Sequence, residues 1–337
     1  MDTQAKSLER GLWVTFFMIF IMIILGGVTR LTGSGLSIVE WKPITGILPP
    51  LSAQDWDALF AQYQTSPEFQ KINSDMTLEG FKGIFWLEYV HRLWGRLIGL
   101  VFLWPLIVCA RDHELRREFL DKLLIILGLG GAQGFVGWLM VKSGLTNEPH
   151  VDHLRLAFHF MLGVATFAFV LWTALSVKLH KGDIEKDLVN RDFLLIIGVL
   201  VTLTLFYGAL VAGLKAGLIY NTFPLMGETW IPLEFFNPNF NLGYFLNDPG
   251  VVQFTHRCLA MLTCVSALIL LGQSSQFSTI LRPLVFGLFM AILFQAGLGI
   301  MTVLTHVSIP LASLHQTVAM IVIAILTSLL ALTEQER

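Results

Sequence analysis

The sequence predicts an all-α polytopic membrane protein, with eight transmembrane helices folded as two pseudo-symmetric four-helix bundles. Three observations lead there. Apolar residues make up 55% of the 337 residues and charged ones only 14%, against about 25% charged in soluble domains. Mean hydropathy is +0.69. Eight apolar runs are each long enough to cross a hydrocarbon layer of about 30 Å, which takes about 20 helical residues, and the last four runs echo the first four.

The runs fall at 11–29, 84–110, 122–141, 154–177, 192–212, 252–272, 282–303 and 312–332. Lys6 and Arg10 precede the first, and no small-residue cleavage site follows it, so it reads as a retained helix. Arg111, Arg116, Arg117 and Lys122 form one basic loop; Lys178, Lys181, Lys186 and Arg191 form another. Under alternating topology both lie on the side of the N-terminus, which the positive-inside rule makes cytoplasmic for both chain ends. Without an Arg- and Ser-rich transit peptide, a bacterial inner membrane is expected. The loops 30–83 and 213–251 then lie outside, and Asp55 to Phe69 carries the periodicity of an amphipathic surface helix. A net charge of −2 gives no bulk basicity, so no nucleic-acid partner is expected; membrane lipid is.

The repeat is local and ordered. Glu88-x-x-His91-Arg92 matches Gln253-x-x-His256-Arg257, and His159 matches His315. Gln133-x-x-x-Gly137 matches Gln295-x-x-x-Gly299, and Pro43-x-x-Gly46 matches Pro224-x-x-Gly227. The chain therefore divides into 1–190 and 191–337, one bundle each, related by an axis along the membrane normal.

Ionisable groups inside a membrane helix are costly and tend to mark function. Each half offers two imidazoles at similar depth on two parallel helices: His91 with His159, and His256 with His315. A porphyrin iron takes two axial ligands on opposite faces, which bis-His between bundle helices supplies. The second half has no Cys or close carboxylate to complete a tetrahedral zinc set. No CxxC or CxxCH occurs, so covalent c-type attachment is excluded. Arg92 and Arg257 follow the first ligand of each half. They either pair with heme propionates or snorkel to the interface. Arg96 has Met261 as its counterpart; it serves the first heme alone or pairs with Glu88.

Glu88 and His91 are three residues apart, on one helix face at roughly 5–6 Å between Cβ atoms. The second half places Gln253 at the position of Glu88. The two side chains are nearly isosteric and differ in charge and proton exchange. Both bundles are thus expected to hold porphyrin and only the first to do proton-coupled chemistry. The competing reading of Glu88 is a salt bridge to Arg92 or Arg96.

The chain carries Gly26-Gly27-Val28-Thr29-Arg30-Leu31-Thr32-Gly33-Ser34-Gly35-Leu36-Ser37 and Glu40-Trp41-Lys42-Pro43-Ile44-Thr45-Gly46. Together with Glu88-x-x-His91-Arg92, His159, His256-Arg257 and His315, it resembles the heme A synthase family over nearly its whole length. That resemblance implies oxidation of a ring methyl of heme O to the formyl group of heme A by two hydroxylations and loss of water. It implies heme O between His91 and His159 with Glu88 acting there, and a tightly bound heme b between His256 and His315. The absence of cysteines in the first long loop places the chain with the cysteine-free branch. A hydrophobic, reactive substrate points to handover from a heme O synthase, and the electron acceptor is left open. Two other readings stand beside this one: a bis-His transmembrane b-type cytochrome that only passes electrons, and a transporter built on a duplicated bundle.

Overall fold

A peptide group in hydrocarbon has no water to bond, so an apolar run closes its hydrogen bonds within itself as an α-helix. The computed structural model describes residues 3–42, 45–146, 148–180, 182, 187–189 and 191–335. In chain order its helices are α1 (Thr3–Leu31), the short α2 (Ala53–Gln64) and α3 (Pro67–Lys71), α4 (Leu78–Arg111), α5 (His113–Ser143) and α6 (His153–His180). Then come α7 (Asp192–Gly213), the single-turn α8 (Tyr244–Asn247), α9 (Pro249–Gly272), α10 (Arg282–Leu304) and α11 (Ile309–Leu332). Among the described residues eight are long and apolar enough to cross a membrane. The chain is an all-α, multi-pass membrane protein.

Several helices outrun their apolar segments because polar caps lie beyond the hydrocarbon part. The Thr77 hydroxyl accepts from Gly80 N and starts α4 six residues before its apolar run. Asp112 alone separates α4 from α5, and its carboxylate accepts from the N–H groups of Glu114 and Leu115. Asp248 caps α9, with Pro249 in the first turn, where its missing N–H is no loss. Pro105 lies inside α4. Gly11 of α1 faces it, with room only because glycine has no Cβ: one built there would stand 2.9 Å from the proline ring.

Neighbour contacts join α1, α4, α5 and α6 in one closed ring and α7, α9, α10 and α11 in a second. The seam between rings is made by α1, α6, α7 and α11. This is why α6 and α11 are about half buried (56% and 50% of their apolar windows) while α4 and α9 show most of their surface to lipid (17% each). One main core, including Leu8, Phe119, Phe167, Leu194 and Leu329, runs through both rings.

Both long loops extend from one end of the rings, here the loop side. The expected helix over Asp55–Phe69 is two helices. Ser66 caps a new start and Pro67 takes its first position, which a continuous helix would not tolerate. Tyr63 of α2 packs with Phe81 and Phe85 of α4. Pro43 of the expected Pro-x-x-Gly repeat, and Lys181 and Lys186 of the second basic loop, lie outside the described residues. At the opposite, terminal side the linker between rings pairs with the end of the chain: β1 (Asp187–Val189) runs parallel to β2 (Thr333–Gln335). Extended segments leaving two helices there have free backbone groups, and each satisfies the other's.

Gly213 marks a close approach between the rings. A Cβ there would stand 2.6 Å from His153 Cβ and 2.9 Å from its Cα. Gly213→Ala should lower stability by about 1–3 kcal/mol, read as a lower midpoint of thermal unfolding in detergent. Gly128→Ala, whose Cβ would meet nothing within 4 Å, should leave the midpoint unchanged or higher.

Candidate heme-binding site

Four half-buried imidazoles each back onto a glycine of the preceding membrane helix. A Cβ at Gly26 of α1 would stand 3.3 Å from His91 Nε2 of α4, and one at Gly137 of α5 would stand 3.0 Å from His159 Cε1 of α6. In the second ring Gly208 of α7 faces His256 Cε1 at 3.1 Å, and Gly299 of α10 faces His315 Cε1 at 3.0 Å. α4 and α6 are diagonal in the first ring, as α9 and α11 are in the second. The four predicted histidines thus lie on diagonal helices, His91 and His159 in the first ring and His256 and His315 in the second.

The ring nitrogens differ between pairs. His256 Nδ1 lies 3.0 Å from the Thr204 carbonyl and His315 Nδ1 lies 3.2 Å from the Gln295 carbonyl. A carbonyl only accepts, so both Nδ1 atoms carry the proton, and the neutral rings keep an Nε2 lone pair. This is how metal-binding imidazoles are held. In the first pair His159 Nδ1 is buried without a partner. The Gln133 amide reaches the His159 carbonyl at 3.1 Å and His159 Nε2 at 3.5 Å, and Gln295 stands 3.5 Å from His315 Nε2. The side-chain oxygens of Gln133 and Gln295 are both buried without a partner, an uncommon condition that points to a ligand. Among the described residues no three His, Cys, Asp or Glu gather around a common point. The pairs therefore suit a metal that brings its own equatorial donors. Side-chain-free helix walls behind the imidazoles and the orphaned amide oxygens of Gln133 and Gln295 fit an iron porphyrin in each ring.

Glu88 is 2% exposed and Gln253 is 1% exposed, and each ties its helix to the loop that follows the preceding one. Four donors converge on Glu88. Arg92 Nε and Nη2 reach Oε1 at 3.0 and 2.6 Å, while the Ser37 hydroxyl and Ile38 N–H reach Oε2 at 2.7 and 2.8 Å. Gln253 instead donates to the carbonyls of Ala216 and Tyr220 at 3.1 and 3.3 Å, and its oxygen accepts from Arg257. The first loop presents donors and the second presents acceptors, so the residue difference matches loop polarity as well as chemistry. The salt bridge anticipated for Glu88 forms with Arg92, and Arg96 donates to the Lys42 carbonyl at 3.0 Å. Arg92 also donates to the Ile38 and Glu40 carbonyls, and Arg257 to those of Tyr220 and Leu225. The described bonds of both arginines are to the protein itself.

The sequence reading missed Ser37 and Ile38 as partners of Glu88, and Gly208 as the seat of His256. Extending the repeat from Gly26 onto Gly208 would have picked out that glycine, whereas nothing local in the sequence marks Ser37 and Ile38. Of the remaining histidines, His153 opens α6 and bonds the Leu246 carbonyl, and His180 lies edge-on to Phe119. A further carboxyl lies close by. Glu68 of α3 is 7% exposed and accepts from Tyr63 at 3.1 Å. Burial, opposed by the Tyr63 hydrogen bond and reinforced by Glu88, pushes it up to about 7 from the usual 4.5.

Gln253→Glu would set a carboxylate against two carbonyls. It should cost about 1–3 kcal/mol, seen as a lower unfolding midpoint; a variant as stable as the parent would contradict the loop-polarity account. Glu68 sets a pH dependence. Its folded form holds the proton more tightly than the unfolded chain, so its contribution is complete below about pH 4.5 and lost as pH rises through about 7. Amide exchange over residues 53–71 should therefore accelerate between pH 5 and pH 8 beyond its intrinsic increase, and Glu68→Gln should remove that excess.

A model of the cytochrome oxidase assembly protein family matches residues 9–327. Relatives named heme A synthase match along most of their length. That of Paramagnetospirillum magneticum is 44% identical over 313 residues, covering 90% of this chain and 87% of the relative. That of Rickettsia felis is 41% identical over 332 residues, covering 96% and 97%. That of Rickettsia bellii is 43% identical over 329 residues, covering 95% and 96%. The chain belongs to the cytochrome oxidase assembly protein family, alongside these heme A synthases.

Proposed function

We propose that the chain is a heme A synthase that takes heme O as substrate and oxidises one ring methyl to the formyl group of heme A. The observation that carries this reading is the doubled imidazole pair, each ring seated on a glycine, with a carboxylate beside one pair and an amide beside the other. The oxidation proceeds as two hydroxylations followed by loss of water. Residues 1–190 and 191–337 form two bundles related by a pseudo-twofold axis along the membrane normal. The two closed helix rings and the recurring His–Gly contacts support that relation.

His256 and His315, each locked through Nδ1 to a backbone carbonyl, suit a resident heme b, with Arg257 bracing the loop above it. Heme b supplies one-electron transfer when bound there. His91 and His159 lack those locks, which favours a ligand that enters and leaves, so heme O is assigned to them with Arg92 beside it. Glu88 is the catalytic carboxylate. Its four donors hold it as a fixed anion, suited to stabilising positive charge that develops on the substrate. The same bonds hold Ser37 and Ile38 over the first pair and limit water there. Electrons leave through the second site to an acceptor still to be identified. The charge pattern of the short loops puts both termini in the cytoplasm of a bacterial cell, with the long loops outside the inner membrane. A heme O synthase is the natural donor of so apolar a substrate.

Glu88→Gln gives the first half the side chain of the second. Heme binding should persist while heme A yield drops at least about a hundredfold, measured by separating heme O, its alcohol and heme A from purified protein. Undiminished heme A would refute the role of Glu88. A parent protein that carries heme but never yields the alcohol or heme A would favour an electron-transfer cytochrome instead.

A further inference from the structure

Two basic groups on the loop side, Arg30 and Lys215, are left over from the architecture described above. Arg30 is in the last turn of α1, four residues after Gly26. Residues four apart share a helix face, and side chains lean toward the helix start. Arg30 therefore rises from the face that Gly26 presents to His91, one turn nearer the loop side. It is half-buried, and no hydrogen bond or ion pair to its guanidinium occurs among the described residues. A terminal arginine gains from the helix dipole, but that gain does not require a half-buried guanidinium with no acceptor.

Lys215 comes from the second half. It follows Gly208 by seven residues, as Gly33 follows Gly26. Gly33 has φ +66 and Lys215 has φ +53, so a lysine occupies a left-handed position that the first half gives to glycine. Such strain at a residue that is neither glycine nor asparagine is a pointer to function. Lys215 Nζ reaches His150 Nε2 at 3.5 Å, and Arg30 acts electrostatically on the same imidazole. The acidic groups in range are Glu148, which faces His150, and Glu68, which feels Lys215. Neither cation has a counterpart: the equivalents of Arg30 and Lys215 are Ala212 and Gly33. The guanidiniums of Arg92, Arg257, Arg96 and Arg155 are each engaged with backbone carbonyls, and those of Arg92 and Arg257 also with Glu88 and Gln253.

We infer that Arg30 and Lys215, one from each half of the chain, form an anion seat above the His91/His159 pair that takes the carboxylate side chains of the porphyrin substrate. This rests on the heme O reading above. The seat is asymmetric where the imidazole pairs are alike, so it distinguishes the substrate site from the resident one. It also fixes the rotation of the macrocycle about its iron, and hence which ring edge meets Glu88. An anionic lipid headgroup offers the same chemistry from another source.

The test uses protein purified with its resident pigment and titrated, in neutral-lipid nanodiscs, with hemin or with hemin dimethyl ester. The signal of the first pair is the one lost in His159→Ala. The parent should bind the diacid about tenfold or more tighter than the diester. Arg30→Gln and Lys215→Gly should each reduce that preference by weakening the diacid alone; the glycine variant also relieves the left-handed strain, so misfolding does not explain a loss. A preference that survives both variants, or equal weakening of both pigments, overturns the seat. So does a variant effect that appears only with phosphatidylglycerol in the disc. A parent that takes up neither pigment, with or without anionic lipid, overturns the heme reading beneath it.

Discussion

An imidazole that grips a flat ligand between packed helices needs a helix wall with no side chain behind it. Four glycines supply that wall, each on the membrane helix preceding its histidine, with a missing Cβ that would fall 3.0–3.3 Å from the ring. In a close-packed interior a methyl group at that distance moves the ring or the helix. The spacing of α1 from α4, α5 from α6, α7 from α9 and α10 from α11 is thereby tied to the placement of the imidazole rings. Fold and site are the same set of contacts.

The two rings then diverge through hydrogen bonding. The second pair is fixed by two backbone carbonyls, and the polar residue beside it, Gln253, donates to two more. The first pair has neither lock, and its polar residue, Glu88, gathers four donors from Arg92, Ser37 and Ile38. A rigid surround suits a resident electron carrier, whose geometry should change little on reduction. A looser pair beside a fixed negative charge suits a substrate that must enter, react and leave. One amide-for-carboxylate exchange carries much of this difference because the loops above the two sites offer opposite hydrogen-bond polarity.

The sequence made the eight spans, the order of the repeat and the four histidines legible, because each rests on local pattern: length of an apolar run, or identity at fixed offsets. The Glu88–Arg92 pair was legible for the same reason, being one helical turn apart. The break between α2 and α3 at Pro67 was equally local and was overlooked in favour of the apolar periodicity running across it. The partners of Glu88 in the loop at Ser37 and Ile38, about fifty residues away in the chain, carried no such local signal.

What the sequence by itself determined is that this chain crosses a membrane eight times with a duplicated imidazole pattern, since hydrocarbon thickness and helical rise convert composition directly into spans. Only the tertiary structure decided which glycine seats which histidine, which imidazole protons are locked to carbonyls, and that both arginines of the repeat bond loop carbonyls. Those outcomes depend on distances between separate helices and on the direction in which loop N–H and C=O groups point. Packing sets both, and no offset along the chain encodes them.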